Sequence, residues 1–338
     1  MHRSVVFLLS AIVLLAVPAQ CQEVDEPLKL IESIPLPGLH DGTFDHFQVD
    51  LPGQRLFAAA ESNSAIEVID MRTNKLIHTI TVPNEPHSMA YDTELKKLLV
   101  ADETQVEIYD GTSYKLLGTI PTQAHADASV YDPVNKLFYV GNGGRQAKED
   151  YCVITIVDAR TDTMVGEVKI DSDHIEQMVL EKSGPRLFVC MYSKNAVGVI
   201  DREKRAVIAT WSIEPEGRQN IHLSLDEAKH RLFVSSINRR DPAKVVVLDS
   251  DTGKVIGTIL SPGQYSSDDM DFDPTLSRLY IAGVPFINVF QNNDLIGQVP
   301  SSYHGITAIL VPELNRYYVA VNHHGTTDAK VQVYQVIR

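Results

Sequence analysis

The chain has 338 residues, with 44 Asp and Glu against 30 Lys and Arg and a formal net charge of −14. No basic run or Lys/Arg stripe offsets that acidity, so nucleic acid and anionic membranes, which need clustered positive charge, are disfavoured as partners. Cysteine is scarce at 3 residues, so the fold rests on a buried core and not on a disulfide framework.

Residues 1–22 stand outside the predicted fold. His2 and Arg3 give a basic start, Val5–Val17 is an apolar run, and Val17-Pro18-Ala19 offers small residues for cleavage, with Ala19 or Cys21 the last residue removed. This is the pattern of a secretory signal peptide. The run is short for a bilayer span, and Gln20 fits poorly as the small residue that lipidation of Cys21 needs. The expectation is a secreted or periplasmic protein, not a lipoprotein, with no membrane insertion, and a single domain over residues 23–338.

Residues 28–36, LKLIESIPL, predict a strand with no neighbour in sequence. It resembles the runs Lys75–Ile80, Lys115–Ile120, Met164–Ile170, Ala206–Ile213, Lys254–Leu260 and Leu295–Val299. Each of these closes a repeated unit, seen most clearly in His174–Ile213. There, four β-type runs (Glu176–Leu180, Arg186–Cys190, Ala196–Asp201, Ala206–Ile213) are separated by turn residues. The second run of each unit carries a basic-apolar-apolar anchor centred on Leu56, Leu98, Leu137, Leu187, Leu232, Leu279 and Tyr317, at steps of 42, 39, 50, 45, 47 and 38. A period near 40–45 with four strands per unit predicts an all-β, seven-bladed β-propeller. The blades fall at about 43–83, 84–122, 123–171, 172–216, 217–261, 262–300 and 301–338. The last unit has only three runs, Ile306–Val311, Arg316–Val321 and Lys330–Ile337, so 28–36 supplies its fourth strand, closes the ring and removes an exposed edge. Cys152 and Cys190 fall near strand ends in adjacent units, and both a disulfide and two buried free thiols stay open. Trp211, on an outer strand, reads as a packing residue.

Tyr139-Val140-Gly141-Asn142 and Tyr318-Val319-Ala320 followed by Val321-Asn322 are degenerate forms of a Tyr-Val-Thr-Asn tetrad. A third-strand ending recurs as Val68-Ile69-Asp70, Ile108-Tyr109-Asp110, Ile156-Val157-Asp158, Val199-Ile200-Asp201 and Val247-Leu248-Asp249. In these motifs the chain resembles the secreted YncE-like proteins of the YVTN-repeat β-propeller family. The resemblance implies the seven-bladed fold and no single chemistry, because one propeller scaffold hosts many functions.

In a propeller the first strand of each blade lines the tunnel, starting at the top face. Aligned on their closing residues (Asp50, Asp92, Asp132, Glu181, Asp226, Asp273, Pro312), these strands place Asp45, His87, Asp127, Glu176, Ile221, Asp268 and Thr307 in one layer. His46, His125, His174, Asn220, His222, Asp269 and His304 lie beside it. Imidazoles and carboxylates meeting at one mouth suit a divalent metal ion, and His87, Asp127, His174, Glu176, His222 and Asp268 are the candidate ligands. They also suit acid–base work; the plainer alternative is a polar mouth that caps free backbone groups. No close pair such as HxH supports the metal, and no cofactor is otherwise indicated.

Loops on the same face are long in blades three, five and seven, where Arg145, Arg239, Arg240 and His323 could meet a ligand or remain solvated charges. Gly141-Asn142-Gly143-Gly144 lacks the following helix of a phosphate cradle, and no Gly-x-Ser-x-Gly elbow occurs. The expectation is a monomeric binding module for a small molecule, a metal ion or an envelope protein. The alternative is a metal-dependent hydrolase or lyase acting on a lactone or sugar-derived substrate. Whether the protein is an enzyme stays open at this point.

Overall fold

The computed structural model describes residues 26–237 and 243–338. The signal peptide read at residues 1–22 and the loop residues Arg239 and Arg240 lie outside the described residues. The described chain folds into seven antiparallel sheets that form the blades of a propeller. The first strands are Phe47–Asp50, Pro86–Asp92, Ser129–Asp132, Met178–Leu180, Leu223–Asp226, Ser266–Asp273 and Ala308–Val311. They touch in that order, and the last meets the first, so they make a closed inner ring. Blade seven is completed as the sequence predicts: Leu28–Leu36 pairs antiparallel with Ala329–Val336, from Leu28 opposite Val336 to Leu36 opposite Ala329.

Blade two departs from four separate strands. Its second and third strands are one 14-residue run, Lys97–Asp110. The first part pairs with Pro86–Asp92 and the second with Leu116–Ala126. Glu103, between the two parts, has φ 50°. The connection is so short that the two parts form one run, although the register with Leu116–Ala126 shifts between Glu103 and Gln105.

The core lies between blades. Seven apolar clusters each join two adjacent blades, one cluster to each seam. Alternation along each strand sends successive side chains to opposite seams. Cys152 belongs to the seam between blades three and four, and Cys190 to the seam between four and five. Blade four therefore separates them, and both are free, buried thiols. Trp211 packs against Phe188 with ring centroids 5.7 Å apart. Gly253, at φ +71°, lies so close to the indole that a Cβ would fall 2.2 Å from it.

The repeated motifs have local causes. In blades one, two and four the Asp that ends the third strand accepts backbone N–H groups two and three residues on: Asp70 from Arg72 and Thr73, Asp110 from Thr112 and Ser113, Asp201 from Glu203 and Lys204. This Asx turn reverses the chain into the fourth strand. The basic residue that opens each second strand clasps the next blade. Arg55 Nη1 donates to Gly111 O at 2.5 Å, Lys97 Nζ to Ala159 O at 2.9 Å, Arg186 Nη1 to Ser250 O at 2.5 Å and Arg231 Nη1 to Asn293 Oδ1 at 3.3 Å. Arg278 Nη1 reaches Ile337 O in the same way. Lys136 and Arg316 are exceptions: Lys136 turns back to Asp92 (3.0 Å) and Glu94 (2.8 Å) of blade two, and Arg316 bonds Leu314 O, Asn315 O and Gln335 Oε1 within its own blade.

Candidate functional site at the top mouth

The residues at the entrances of the first strands converge into a hydrogen-bonded network. His87, 5% exposed, has Nδ1 2.7 Å from Asp45 Oδ2. Asp45 Oδ1 stands 3.3 Å from His46 Nε2, and His46 Nδ1 stands 3.2 Å from Asp269 Oδ1. Asp127 approaches both His87 Nδ1 (3.9 Å) and His125 Nε2 (3.4 Å). Beyond His125, the ring of His174 lies edge-on at 6.1 Å; it bonds Glu176 through Nε2 and stacks on Tyr192. Thr307 donates to Asp268 Oδ2 at 3.1 Å.

Some of these side chains also satisfy the bare inner edge. Asp269 accepts Ala308 N at 2.8 Å, Asp271 accepts Leu310 N at 3.0 Å, and Gln177 Oε1 accepts Leu223 N at 2.8 Å. An innermost strand has no further strand to pair with, so the carboxylates of Ser266–Asp273 take the place of one.

Burial and charge set the protonation pattern. For His46 and His87, burial disfavours the charged form, but the carboxylates outweigh it. His46 is pushed well above its usual range by Asp45 and Asp269, and His87 to about 11 by Asp45, Glu103 and Asp127. Burial raises Asp45 too, yet the two imidazoliums bring it below the ordinary value. Asp127 rises to about 7, through burial and then the charge on Asp45. Asp268, Asp269 and Asp271 are raised by burial first. His125 is lowered, by burial and then by the neighbouring imidazole of His87.

The remaining predicted residues lie apart from this network. His222 is 1% exposed, with Nε2 3.4 Å from Ser267 O, and burial lowers it to about 3, so it is a neutral packing imidazole. His304 is exposed and meets the Tyr303 ring edge-on at 4.6 Å. His323 bonds Asp41 on the rim. Arg145 reaches Ser193 Oγ at 3.2 Å in blade four.

Three glutamates join the mouth that the strand alignment did not reach: Glu61, Glu85 and Glu103. Ligand atoms of His87, Glu103 and His125 lie within 4.8 Å of one another; so do those of Asp45, His46 and Asp127, and those of Glu61, Glu85 and His87. Of the six predicted metal ligands, His87 and Asp127 fall in these groups, whereas His174 and Glu176 bond each other. Glu61 and Glu103 sit in the short connections between second and third strands. Attention to long loops passed over them; the turn position itself was the available signal. These clusters have the donor set and spacing to bind a metal ion.

No family model matches the chain. The uncharacterized protein YncE of Salmonella typhimurium is 24% identical over 157 residues, which cover 45% of this chain and 40% of that relative, less than half the length of either. Among solved structures, Kuenenia stuttgartiensis hydrazine synthase matches with a TM-score of 0.71 at 16% identity, over 91% of this chain and 96% of that one. A chain of the mitotic checkpoint complex matches with a TM-score of 0.74 at 13% identity, over 100% of this chain and 99% of that one. At such identities the two structures share the fold alone. Together with the seven blades, the likeness to YncE makes the chain a YncE-like β-propeller. Among the described residues, no helix is long and apolar enough to cross a membrane.

Proposed function

We propose that the protein is an exported binding module whose top mouth holds a divalent transition-metal ion on His87, Glu103 and His125. The observation that carries this reading is His87 Nε2, which is buried and has no hydrogen-bond partner. Its other nitrogen is bonded to Asp45. A carboxylate behind an imidazole fixes the tautomer and ring orientation and aims the far nitrogen at a metal. Glu103 Oε2, 3.6 Å from that nitrogen, is beyond hydrogen-bond length but suitably placed as a second ligand. Two imidazoles and one carboxylate favour Zn²⁺, Cu²⁺, Ni²⁺ or Fe²⁺ over Ca²⁺ and Mg²⁺. In the metal-free protein His87 holds a proton, which the ion has to displace.

A small ligand or an envelope protein would complete the coordination from the open side of the mouth. Export is part of the proposal and rests on the sequence of residues 1–22. The hydrolase or lyase alternative would use the same ion to polarise a carbonyl or activate water; no specific observation favours it over binding.

The test is elemental analysis of untagged protein purified without chelator, beside His87→Ala and His125→Ala variants. Near-stoichiometric metal in the parent, lost in variants that still melt cooperatively, supports the reading. A parent that is metal-free and takes up neither Zn²⁺ nor Ni²⁺ on dialysis sinks it.

A further inference from the structure

The outermost strand of every blade is bulged at the same place. Each fourth strand shifts register against the third near its start, where two residues face one. In blade one His78 lies opposite Val68 and Leu76 opposite Ile69, so Ile77 is the extra residue. Leu117, Val165, Ile208, Ile256 and Ile296 hold the same position in blades two to six, and Ile31 holds it in the strand that completes blade seven. No pairing between separate second and third strands is shifted. Pairings of first with second strands shift only in blades two and six. The repeated bulge therefore belongs to the outer edge and not to the blade as a whole.

That edge is exposed to a specific hazard. A fourth strand has no neighbour on its outer side, so its outward N–H and C=O groups are a template for another chain. Charged side chains and proline are common guards of such an edge. Two fourth strands have neither: Ala206–Ser212 (AVIATWS) and Val255–Leu260 (VIGTIL) carry no charged residue and no proline. Val207, Ile208, Ile256 and Leu260 are exposed on them. Apolar, β-branched and uncharged segments of this length are the kind that pair strand to strand between chains. What these two strands do have is the bulge. Beyond it, only Ala209–Ser212 and Gly257–Leu260 run in regular register, shorter than the about five to six residues of a typical strand. The extra residue also bends and twists its strand, so a straight partner cannot stay in phase on both sides of it.

We propose that the bulges at Ile208 and Ile256 keep these two unguarded edges from pairing with a second copy of the chain. The device is built into the outer rim and does not depend on a metal at the mouth.

The test is single-residue deletion in the full chain. Removing Ile208 leaves Ala209 opposite Val199 and Val207 opposite Ile200, which restores a regular ladder and keeps every other pair. Removing Ile256 does the same in blade five. Size exclusion with light scattering should show a monomer for the parent and for Ile208→Ala, which keeps the extra residue. Each deletion should at least double the mass-average molar mass at the same protein concentration, and hydrogen exchange in the associated form should slow within the fourth strand that lost its bulge. The proposal is overturned by a parent that self-associates, by an Ile208→Ala variant that associates like the deletion, by protection that falls elsewhere, or by deletions that melt cooperatively and stay monomeric. Loss of folding in both deletions overturns it too, since the bulges would then serve the blade and not its edge.

Discussion

His87 and Asp45 form a 2.7 Å hydrogen bond across the boundary between blades one and two, and the bond leaves His87 Nε2 buried and unpartnered. Asp45 thereby orients a nitrogen it does not touch. Asp45→Asn should weaken Zn²⁺ binding by about 10–100-fold, the usual cost of removing a carboxylate behind a ligating imidazole. His87→Ala should abolish binding. Competition with a chromophoric chelator checks both, and an Asn variant with parental affinity would falsify the role given to Asp45.

Glu107 is fully buried in the third strand of blade two, where Tyr109 Oη and Gln105 Nε2 donate to it. Burial, with Asp102 nearby, raises it to about 7. Because the folded value lies above the unfolded one, its relative stabilisation is complete below about 4.5 and is lost as pH rises through about 7. Glu107→Gln removes that dependence. The melting temperature of the variant relative to the parent should climb between pH 4.5 and pH 8, by the equivalent of about 2–3 kcal/mol. A difference that stays flat over this window contradicts the buried-charge account.

Arg186 bonds buried Glu181 within its own blade and Ser250 O and Asp251 in the next. Arg186→Ala strands the Glu181 carboxylate and should cost about 3–5 kcal/mol. Arg72, an exposed partner of Asp70, should cost under about 1 kcal/mol when replaced by Ala. Urea midpoints compare the two, and similar losses would show that the clasp does not hold the seam.

Ring closure depends on the inward side chains of Leu28–Leu36. Ile34 is 1% exposed in the seam between blades seven and one, whereas Ile31 is 43% exposed on the same strand. Ile34→Ala should cost about 2–5 kcal/mol through the cavity it leaves. Ile31→Ala should change stability by no more than about 0.5 kcal/mol. Equilibrium denaturation of the two variants measures the contrast.

The fold was readable because its information is local and repeated. Each Asp at a third-strand end caps its own turn, and Arg55, Arg186 and Arg231 each clasp the following blade in the same way, so their spacing exposed the period. The mouth was readable in part. Aligning strand starts brought Asp45, His87 and Asp127 together, because a ring puts equivalent positions at equivalent radii. The alignment set His222 one residue beyond the position of His87, and the metal reading grouped the two all the same; His222 meets a backbone carbonyl where His87 meets three carboxylates. The alignment could not reach Glu103, whose turn is drawn over His87 by the pairing of Lys97–Asp110 with its neighbours, a long-range effect with no local signature.

The pairing of Leu28–Leu36 with Ala329–Val336 reverses the order of synthesis at the point of closure. Leu28–Leu36, translated ahead of every other strand described, has to wait with neither edge paired until the segment from Ala329 onward has been made. Closing so long a loop adds little to the equilibrium cost, since that cost grows only with the logarithm of length. It weighs on the rate, because contacts between residues distant in sequence form late. For a nascent chain the hazard is therefore one of timing. Leu28–Leu36 is an open edge available to the wrong neighbour throughout translation, and a holding factor that covers it would act before the last blade exists.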